Sequence, residues 1–295
     1  MSVQTHSATT GSVRIAPRAG VIGLGMIGGG VAVSLARSGR IPVVYDIRPD
    51  AADGLLGVPP VAASPADVAR DSDVVLVAVV DAAQARTALC ADDGVLAGAH
   101  PGLVVVLLST VAVPVVHELA RACSAKGVEL LDCGVTPGDQ AANNGLVAIL
   151  GGNDDAVRAA MPVLVDFAKE VVHCGPLGAG MATKIARNVI TYGTWRAVHE
   201  AAGLVHAAGV APERLIEVVQ AADPDGATLF SWLRNQIAAQ PDTRALVPQV
   251  RRLMDKDLAA AQELAADCGV AVPLVDATRS NGAETLDIPM RSTDE

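Results

Sequence analysis

The sequence predicts an α/β protein in which a doubly wound parallel sheet is followed by an all-helical second domain. Three observations predict it. Up to about Cys174, short apolar runs alternate with segments that carry Ala, Leu and charged residues at helical spacing, the pattern of a parallel sheet covered on both faces. The first apolar run leads into Gly23-Leu24-Gly25-Met26-Ile27-Gly28, a Gly-x-Gly-x-x-Gly turn at a strand–helix junction. After the breaker cluster Gly175-Pro176-Leu177-Gly178-Ala179-Gly180, strand-like runs nearly vanish.

Taken in order, residues 1–18 are polar and lack the apolar centre of a signal peptide, so they are expected to form a disordered leader. Seven strands are expected: Val21–Ile22, Val43–Tyr45, Val74–Val80, Leu103–Leu108, Val128–Leu131, Leu146–Leu150 and Val171–His173. The longest apolar runs, Val74–Val80 and Leu103–Leu108, fall far short of the roughly 20 residues of a bilayer span. Helices are expected from Gly30 to Ser38 and over Ala82–Cys90, Val113–Lys126 and Asp154–Phe167. Pro65 and Pro114 fall near helix starts, where the missing N–H costs nothing. The boundary is placed near residue 177, giving a nucleotide-binding domain over 19–177 and a helical domain over 178–295. In the latter, Met181–Ala208, Pro212–Ala221, Thr228–Ala239 and Arg244–Asp267 have helical character. The polar stretch from Val275 offers little core.

A chain of 295 residues suits two domains and can bury a substantial core. Hydrophobic residues make up 51% but aromatics only 2%, so Ala, Val and Leu must fill that core. The formal net charge of -10, with no basic block, argues against nucleic acid as a partner. Five cysteines without a Cys-x-x-Cys pair point to free thiols in a reducing compartment, and hence to the cytoplasm. The six histidines are scattered with no metal-ligand spacing, and no Gly-Lys-Ser/Thr phosphate loop occurs. No metal and no membrane partner are expected; the partner is a small molecule.

In the glycine turn, Gly23 permits the tight bend, Gly25 lets a pyrophosphate approach the backbone, and Gly28 lets the helix pack on the strand. Leu24, Met26 and Ile27 complete the loop, and the helix start offers unpaired N–H groups to the phosphates. Asp46 ends the next strand about 20 residues on, where an acid accepts hydrogen bonds from the adenosine ribose. Strand, helix and acid in register predict a Rossmann-type site for a nicotinamide or flavin nucleotide. The Asp46 carboxylate repels a 2′-phosphate, favouring NAD, with NADP possible. Arg48, a potential phosphate partner, is read as facing solvent.

The second feature is Gly178-Ala179-Gly180-Met181-Ala182-Thr183-Lys184-Ile185-Ala186-Arg187-Asn188. On a helix, Lys184 and Asn188 lie one turn apart on one face. That sets an ammonium beside a carboxamide near the helix start, toward the cleft between domains. Alone such a pair is commonly a solvated helix face. Directly after a nucleotide domain it becomes a candidate for chemistry.

From about Gly20 to Pro273 the chain resembles the β-hydroxyacid dehydrogenase family, which includes 3-hydroxyisobutyrate dehydrogenase and tartronate semialdehyde reductase. Gly23, Gly25 and Gly28 match its cofactor fingerprint, and Ser109-Thr110 its serine-threonine pair on the nicotinamide side. Gly178, Gly180, Lys184 and Asn188 match its catalytic motif, and Lys256-Asp257, followed by Leu258 and Ala261, its later Lys-Asp motif. The resemblance implies that NAD takes a hydride from the carbinol carbon of a small 3-hydroxy acid, or returns it to the matching semialdehyde. Lys184 is then the general acid/base, Asn188 holds the hydroxyl or positions Lys184, and Thr110 and Lys256 belong to the cofactor side. A homodimer or homotetramer is also implied. A free lysine has a pKa of about 10.4, so burial or nearby positive charge must lower that of Lys184. The nicotinium ring and Lys256 are candidate sources of that charge.

One departure bears on substrate. The family binds the substrate carboxylate on a Ser-Gly-Gly turn; here Asp132-Cys133-Gly134-Val135 leads into Thr136-Pro137-Gly138. Thr136 keeps a hydroxyl donor and Gly138 close backbone approach, but Pro137 deletes an N–H, and Asp139 adds a negative charge. Two readings stay open: tolerated drift with Asp139 turned to solvent, or an altered substrate. The imine reductases share the architecture but usually carry another residue at the lysine position, so Lys184 argues against them. The short helical domain disfavours a full 6-phosphogluconate dehydrogenase. Intact Lys184 and Asn188 weigh against an NAD-binding sensor or scaffold without turnover.

Overall fold

The computed structural model describes residues 16–237 and 241–286. The chain divides into two compact units, the first ending at Asn188 and the second beginning at Val189.

In the first unit, seven strands form one sheet: β1 (Ala19–Ile22), β2 (Val43–Tyr45), β3 (Val74–Val77), β4 (Val104–Leu107), β5 (Glu129–Thr136), β6 (Leu146–Gly151) and β7 (Ala168–His173). Their order is β2-β1-β3-β4-β5-β6-β7. The first five strands pair in parallel. The crossovers run through α1 (Met26–Arg37), α2 (Pro65–Arg70), α3 (Ala82–Cys90) and α4 (Val113–Ser124). The chain leaves β1 to one side toward β2 and to the other toward β3, so the switch point, where such folds bind ligands, lies beyond the carboxyl end of β1.

Alternation along the strands fills two cores. Val21, Leu76, Val106, Leu131 and Cys133 face α1 and α5 (Asp154–Leu164), where Val31, Leu35, Val157 and Leu164 cover them. Ile22, Val75, Val77, Val105 and Leu107 face α2, α3 and α4 through Val68, Leu89, Val116 and Leu119. Beyond β5 the sheet is not parallel throughout. The β5–β6 pair is antiparallel, and β7 runs parallel to β6. The reason is length: residues 137–145 hold only a 3₁₀ segment, Gly138–Asn143, whereas a parallel return needs a crossover of a dozen residues or more.

Residues 1–15 of the expected leader lie outside the described residues. Its last residue, Arg18, is tied to the sheet: its N–H donates to the Asp73 carboxylate at 2.7 Å, and its carbonyl accepts from the Asp73 and Val74 N–H groups at 2.9 and 3.1 Å.

The helix α6 (Ala179–Ala207) starts in the first unit. The second unit continues with α7 (Pro212–Ala222), α8 (Thr228–Ile237), α9 (Pro241–Cys268), α10 (Pro273–Ser280) and α11 (Gly282–Leu286). Residues 238 and 239, the end of one expected helix, lie outside the described residues. The stretch from Val275, expected to offer little core, instead folds into α10 and α11 and buries Leu286 at 5% exposure. The reason is a partner distant in sequence. The Glu200 carboxylate, buried on α6, accepts from the N–H groups of Leu274 and Val275 at 2.9–3.1 Å and caps the start of α10. Among the described residues, no helix is long and apolar enough to cross a membrane.

Candidate active site

The glycine turn follows β1 directly. Gly23 has φ +86°, a left-handed conformation that favours glycine, and a Cβ there would fall 2.4 Å from the Ala78 carbonyl oxygen. A Cβ at Gly28 would fall 1.8 Å from the Gly23 carbonyl oxygen, so α1 crosses the turn at backbone contact. At Gly25 a Cβ would meet nothing within 4 Å. Gly25 is also the N-cap of α1, and no side chain caps that helix start. Uncapped N–H groups, a positive dipole end and an open backbone are what a dinucleotide pyrophosphate requires, so the residues present fit the cofactor. Leu24 is buried within the turn, whereas Met26 is 72% exposed at its rim and Ile27 is partly buried.

Asp46 stands just beyond β2, with its Oδ2 accepting from the Leu24 N–H at 2.7 Å and its Oδ1 from the Arg48 N–H at 2.9 Å. Arg48, read from sequence as solvent-facing, is largely exposed but folds back: its Nε donates to Asp46 Oδ1 at 3.1 Å. The two-residue spacing lets one side chain reach the other. Burial opposes ionisation of Asp46, but the hydrogen bonds from Arg48 and Leu24 outweigh it and hold the carboxyl below its usual range. Across the switch point, the Ser109 hydroxyl accepts from the Val79 N–H at 2.9 Å and donates to the Val79 carbonyl at 2.8 Å. Ser109 is thereby committed to the backbone, and Thr110 beside it is exposed.

The candidate substrate turn lies against the fingerprint helix. A Cβ at Gly138 would sit 3.0 Å from Ile27 Cδ1 and 3.1 Å from Met26 Cε. Thr136 ends β5 opposite Val147, the Thr136–Pro137 peptide is cis, and Pro137 is exposed. Asp139 is turned to solvent, where its carboxylate accepts from the Gln140 amide at 3.2 Å. The segment that follows is clamped to α1. The buried Ser34 hydroxyl donates to the Ala141 carbonyl at 2.7 Å and accepts from the Asn144 N–H at 3.2 Å. A Cβ at Gly30 would fall 2.6 Å from that of Ala141. Arg37 donates to the Asn144 side chain, which in turn donates to the Asp166 carbonyl.

Lys184 lies in the second turn of α6. It is buried at 8% exposure, and its stem packs on β5: a Cβ at Gly134 would fall 2.3 Å from Lys184 Cβ and 2.6 Å from its Cγ. Among the described residues its ammonium has no hydrogen-bond or ion-pair partner. Burial pulls the Lys184 ammonium below the usual lysine range, and the Arg187 guanidinium adds to the effect. Asn188, one turn on, is half-buried, and its Oδ1 accepts from Arg187 Nη1 at 3.3 Å. In the second unit, Lys256 is exposed and its Nζ lies 3.1 Å from Asp257 Oδ1.

Residues 18–175 match the model of the NAD-binding domain of 6-phosphogluconate dehydrogenase, and residues 178–287 that of the NAD-binding region of NADP-dependent 3-hydroxyisobutyrate dehydrogenase. The chain belongs to the 3-hydroxyisobutyrate dehydrogenase family. It is 32% identical over 284 residues to an uncharacterized oxidoreductase of Mycobacterium tuberculosis, covering 94% of this chain and 96% of the relative. It is 29% identical over 261 residues to the NAD-dependent L-serine dehydrogenase of Pseudomonas aeruginosa, covering 86% and 87%. A solved structure of Mycobacterium tuberculosis 3-hydroxyisobutyrate dehydrogenase with L-serine superposes with a TM-score of 0.66 at 26% identity, covering 92% and 94%. Membership makes this chain an NAD(P)-dependent oxidoreductase acting on CH–OH groups.

Sequence reading of this 3-hydroxyisobutyrate dehydrogenase family member missed four features: Arg187 as the charge beside Lys184, the Ser34 clamp, the Gly134 platform, and Asp132. The last left a signal. An acid between Leu131 and Cys133 in an apolar strand needs a buried partner. Asp132 is fully buried, with Oδ1 accepting from the Gly178 N–H at 2.6 Å and Oδ2 from the Met181 N–H at 2.5 Å.

Proposed function

We propose that this enzyme oxidises a small 3-hydroxy acid, or reduces the matching semialdehyde, with NAD and with Lys184 as the general acid/base. The observation that carries the reading is Lys184 itself: its stem is buried on the strand that runs into the candidate substrate turn, and its ammonium has no carboxylate partner among the described residues and is held below the usual lysine range. A structural lysine with so buried a stem would be expected to pair its charge with a carboxylate.

In this reading the loop from Gly23 to Gly28 takes the pyrophosphate, Asp46 the adenosine ribose, and Thr110 and Lys256 the nicotinamide side. Thr136 and Gly138 hold the substrate carboxylate, and Asn188 holds the reacting hydroxyl or steadies Lys184. The bound nicotinamide supplies the hydride acceptor or donor. Lys184, neutral, accepts the proton of the substrate hydroxyl in oxidation; protonated, it gives that proton to the carbonyl oxygen in reduction. Asp46 favours NAD over NADP by charge, although Arg48 beside it leaves NADP within reach.

The two substrates named for relatives, L-serine and 3-hydroxyisobutyrate, are both carboxylates with a primary alcohol on the β-carbon, which suits one turn for the anion and one lysine for the hydroxyl. Exposed Val189, Tyr192, Trp195 and Val198 on α6 support self-association into a dimer or tetramer. Five unpaired cysteines support a cytoplasmic site. The test is a panel of 3-hydroxyisobutyrate, L-serine and 3-hydroxypropionate with NAD and with NADP, followed by absorbance of the reduced cofactor. Turnover of at least one, faster with NAD, is expected. Cofactor binding with no reduction across the panel would overturn the reading.

A further inference from the structure

We propose that Asp132 is a positioning residue for Lys184: it pins the first turn of α6 onto β5 and so sets where Lys184 stands relative to the substrate turn. The proposal rests on Lys184 being the acid/base.

Each oxygen of the Asp132 carboxylate takes one backbone donor, from Gly178 and from Met181, 46 and 49 residues away in sequence. Ordinary helix capping uses a residue of the helix's own N-terminus; here the cap belongs to a strand. The contact continues through the backbone. A Cβ at Gly180 would fall 2.5 Å from the Ile149 carbonyl oxygen, 2.6 Å from the Gly151 nitrogen and 2.8 Å from the Asp132 carbonyl oxygen. The helix start thus rests on the β5–β6 pair, where Asp132 stands opposite Gly151.

Strand periodicity makes the anchor a ruler. Residues 132, 134 and 136 share one face of β5, while Leu131, Cys133 and Val135 point into the core beneath α1 and α5. Two strand residues advance about 6.7 Å, and the four helix residues from Gly180 to Lys184 advance about 6 Å. Helix and strand therefore stay in step: Gly180 meets Asp132, the Lys184 stem meets Gly134, and the next position on that face is Thr136. If the start of α6 lifts or slips, Lys184 leaves Gly134, and its offset from Thr136 changes. The charged and titratable groups that meet this helix start are Arg187 on α6, Asp132 on β5 and His117 on α4, which faces Gly178, while Cys133 points into the opposite core and Glu129 at the start of β5 is exposed.

The test is Asp132→Asn in the full chain. The amide is isosteric but turns a donor toward one of the two N–H groups. A misplacement of about 1 Å can lower the rate about 100-fold, so kcat should fall by roughly that factor while the Kd for NAD is unchanged. Labelling of Lys184 by an amine-directed reagent across pH, read by peptide mass spectrometry, should give a midpoint below the ordinary lysine value in the wild type. In the variant it should move up toward about 10.4 as the side chain reaches water. A merely structural role would lower the melting temperature and leave both kcat per folded molecule and the labelling midpoint in place; that result would overturn the proposal. Hydrogen exchange on the wild-type chain gives a reading that does not depend on the variant folding. Slow Gly178 and Met181 amides are expected, and fast exchange at both would overturn the anchor. Lys184→Ala with full turnover would instead sink the acid/base reading, while the labelling midpoint would still report on Asp132.

Discussion

Lys184 and Asp46 are both ionisable groups whose surroundings decide what they do. Because burial and Arg187 lower the Lys184 pKa, the rate of oxidation should rise with pH through that pKa, at values below the ordinary lysine range of about 10.4, as the amine becomes neutral. The rate of reduction should fall through the same pKa, because the ammonium is then the proton donor. Measured kcat/KM against pH in the two directions should show these opposite limbs; limbs of the same sign would assign the titration to another group. Asp46 holds Arg48 against itself, so Asp46→Ser removes a carboxylate that repels a 2′-phosphate and frees a guanidinium that attracts it. One new charge-assisted hydrogen bond contributes about 1.5 kcal/mol or more, so the ratio of NADP to NAD efficiency should rise about tenfold or more. An unchanged ratio would place Asp46 away from the ribose. The glycine spacing and terminal acid made the geometry of this turn legible from sequence. The Arg48 contact was not, because which way an exposed side chain turns depends on a partner only two residues away and on no periodicity.

At the scale of elements, two side chains hold together segments far apart in sequence. Ser34 on α1 ties the segment after the proposed substrate turn to the glycine-turn helix through Ala141 and Asn144. Ser34→Ala should cost about 0.5–1.5 kcal/mol per hydrogen bond lost and, by loosening Gly138, should raise substrate KM more than it changes NAD affinity. Steady-state kinetics beside NAD titration would check this, and a loss confined to NAD binding would contradict it. Glu200 does the equivalent in the second unit. Burial opposes its ionisation, but hydrogen bonds from Leu274, Arg196 and Val275 hold its carboxyl below the usual range. Its contribution is therefore full above the unfolded value of about 4.3 and is lost as pH falls through the lower folded value. Glu200→Gln should be destabilised by about 1–3 kcal/mol at neutral pH and should lose less additional stability than wild type between about pH 4.5 and pH 3. Denaturant melts at each pH would show it. The seven strands and most helices were legible because apolar runs and helical spacing are local signals. The reversal at β6 lay in the length of a connection, α10 depended on a cap supplied from residue 200, and α11 on packing against α9 through Gly282 and Met254, so none was read from the residues that form it.

At the scale of the whole molecule, division of labour is the central claim: the glycine turn and Asp46 bind the cofactor, and the start of α6 supplies the chemistry. The order of the motifs, from Gly23 to Lys184 to Lys256, carried the family and the fold in sequence. What sequence could not carry was the register of α6 on β5, because it is set by a buried carboxylate and by glycine contacts between segments about 50 residues apart. The most direct measurement is single-turnover reduction of NAD with a hydroxyacid substrate, beside calorimetric NAD titration, for wild type and Lys184→Ala. The predicted result is a loss in rate of about 100- to 10,000-fold, the range of a general acid–base group, with NAD affinity nearly intact. Retention of most of the rate, or loss of NAD affinity in step with the rate, would contradict it.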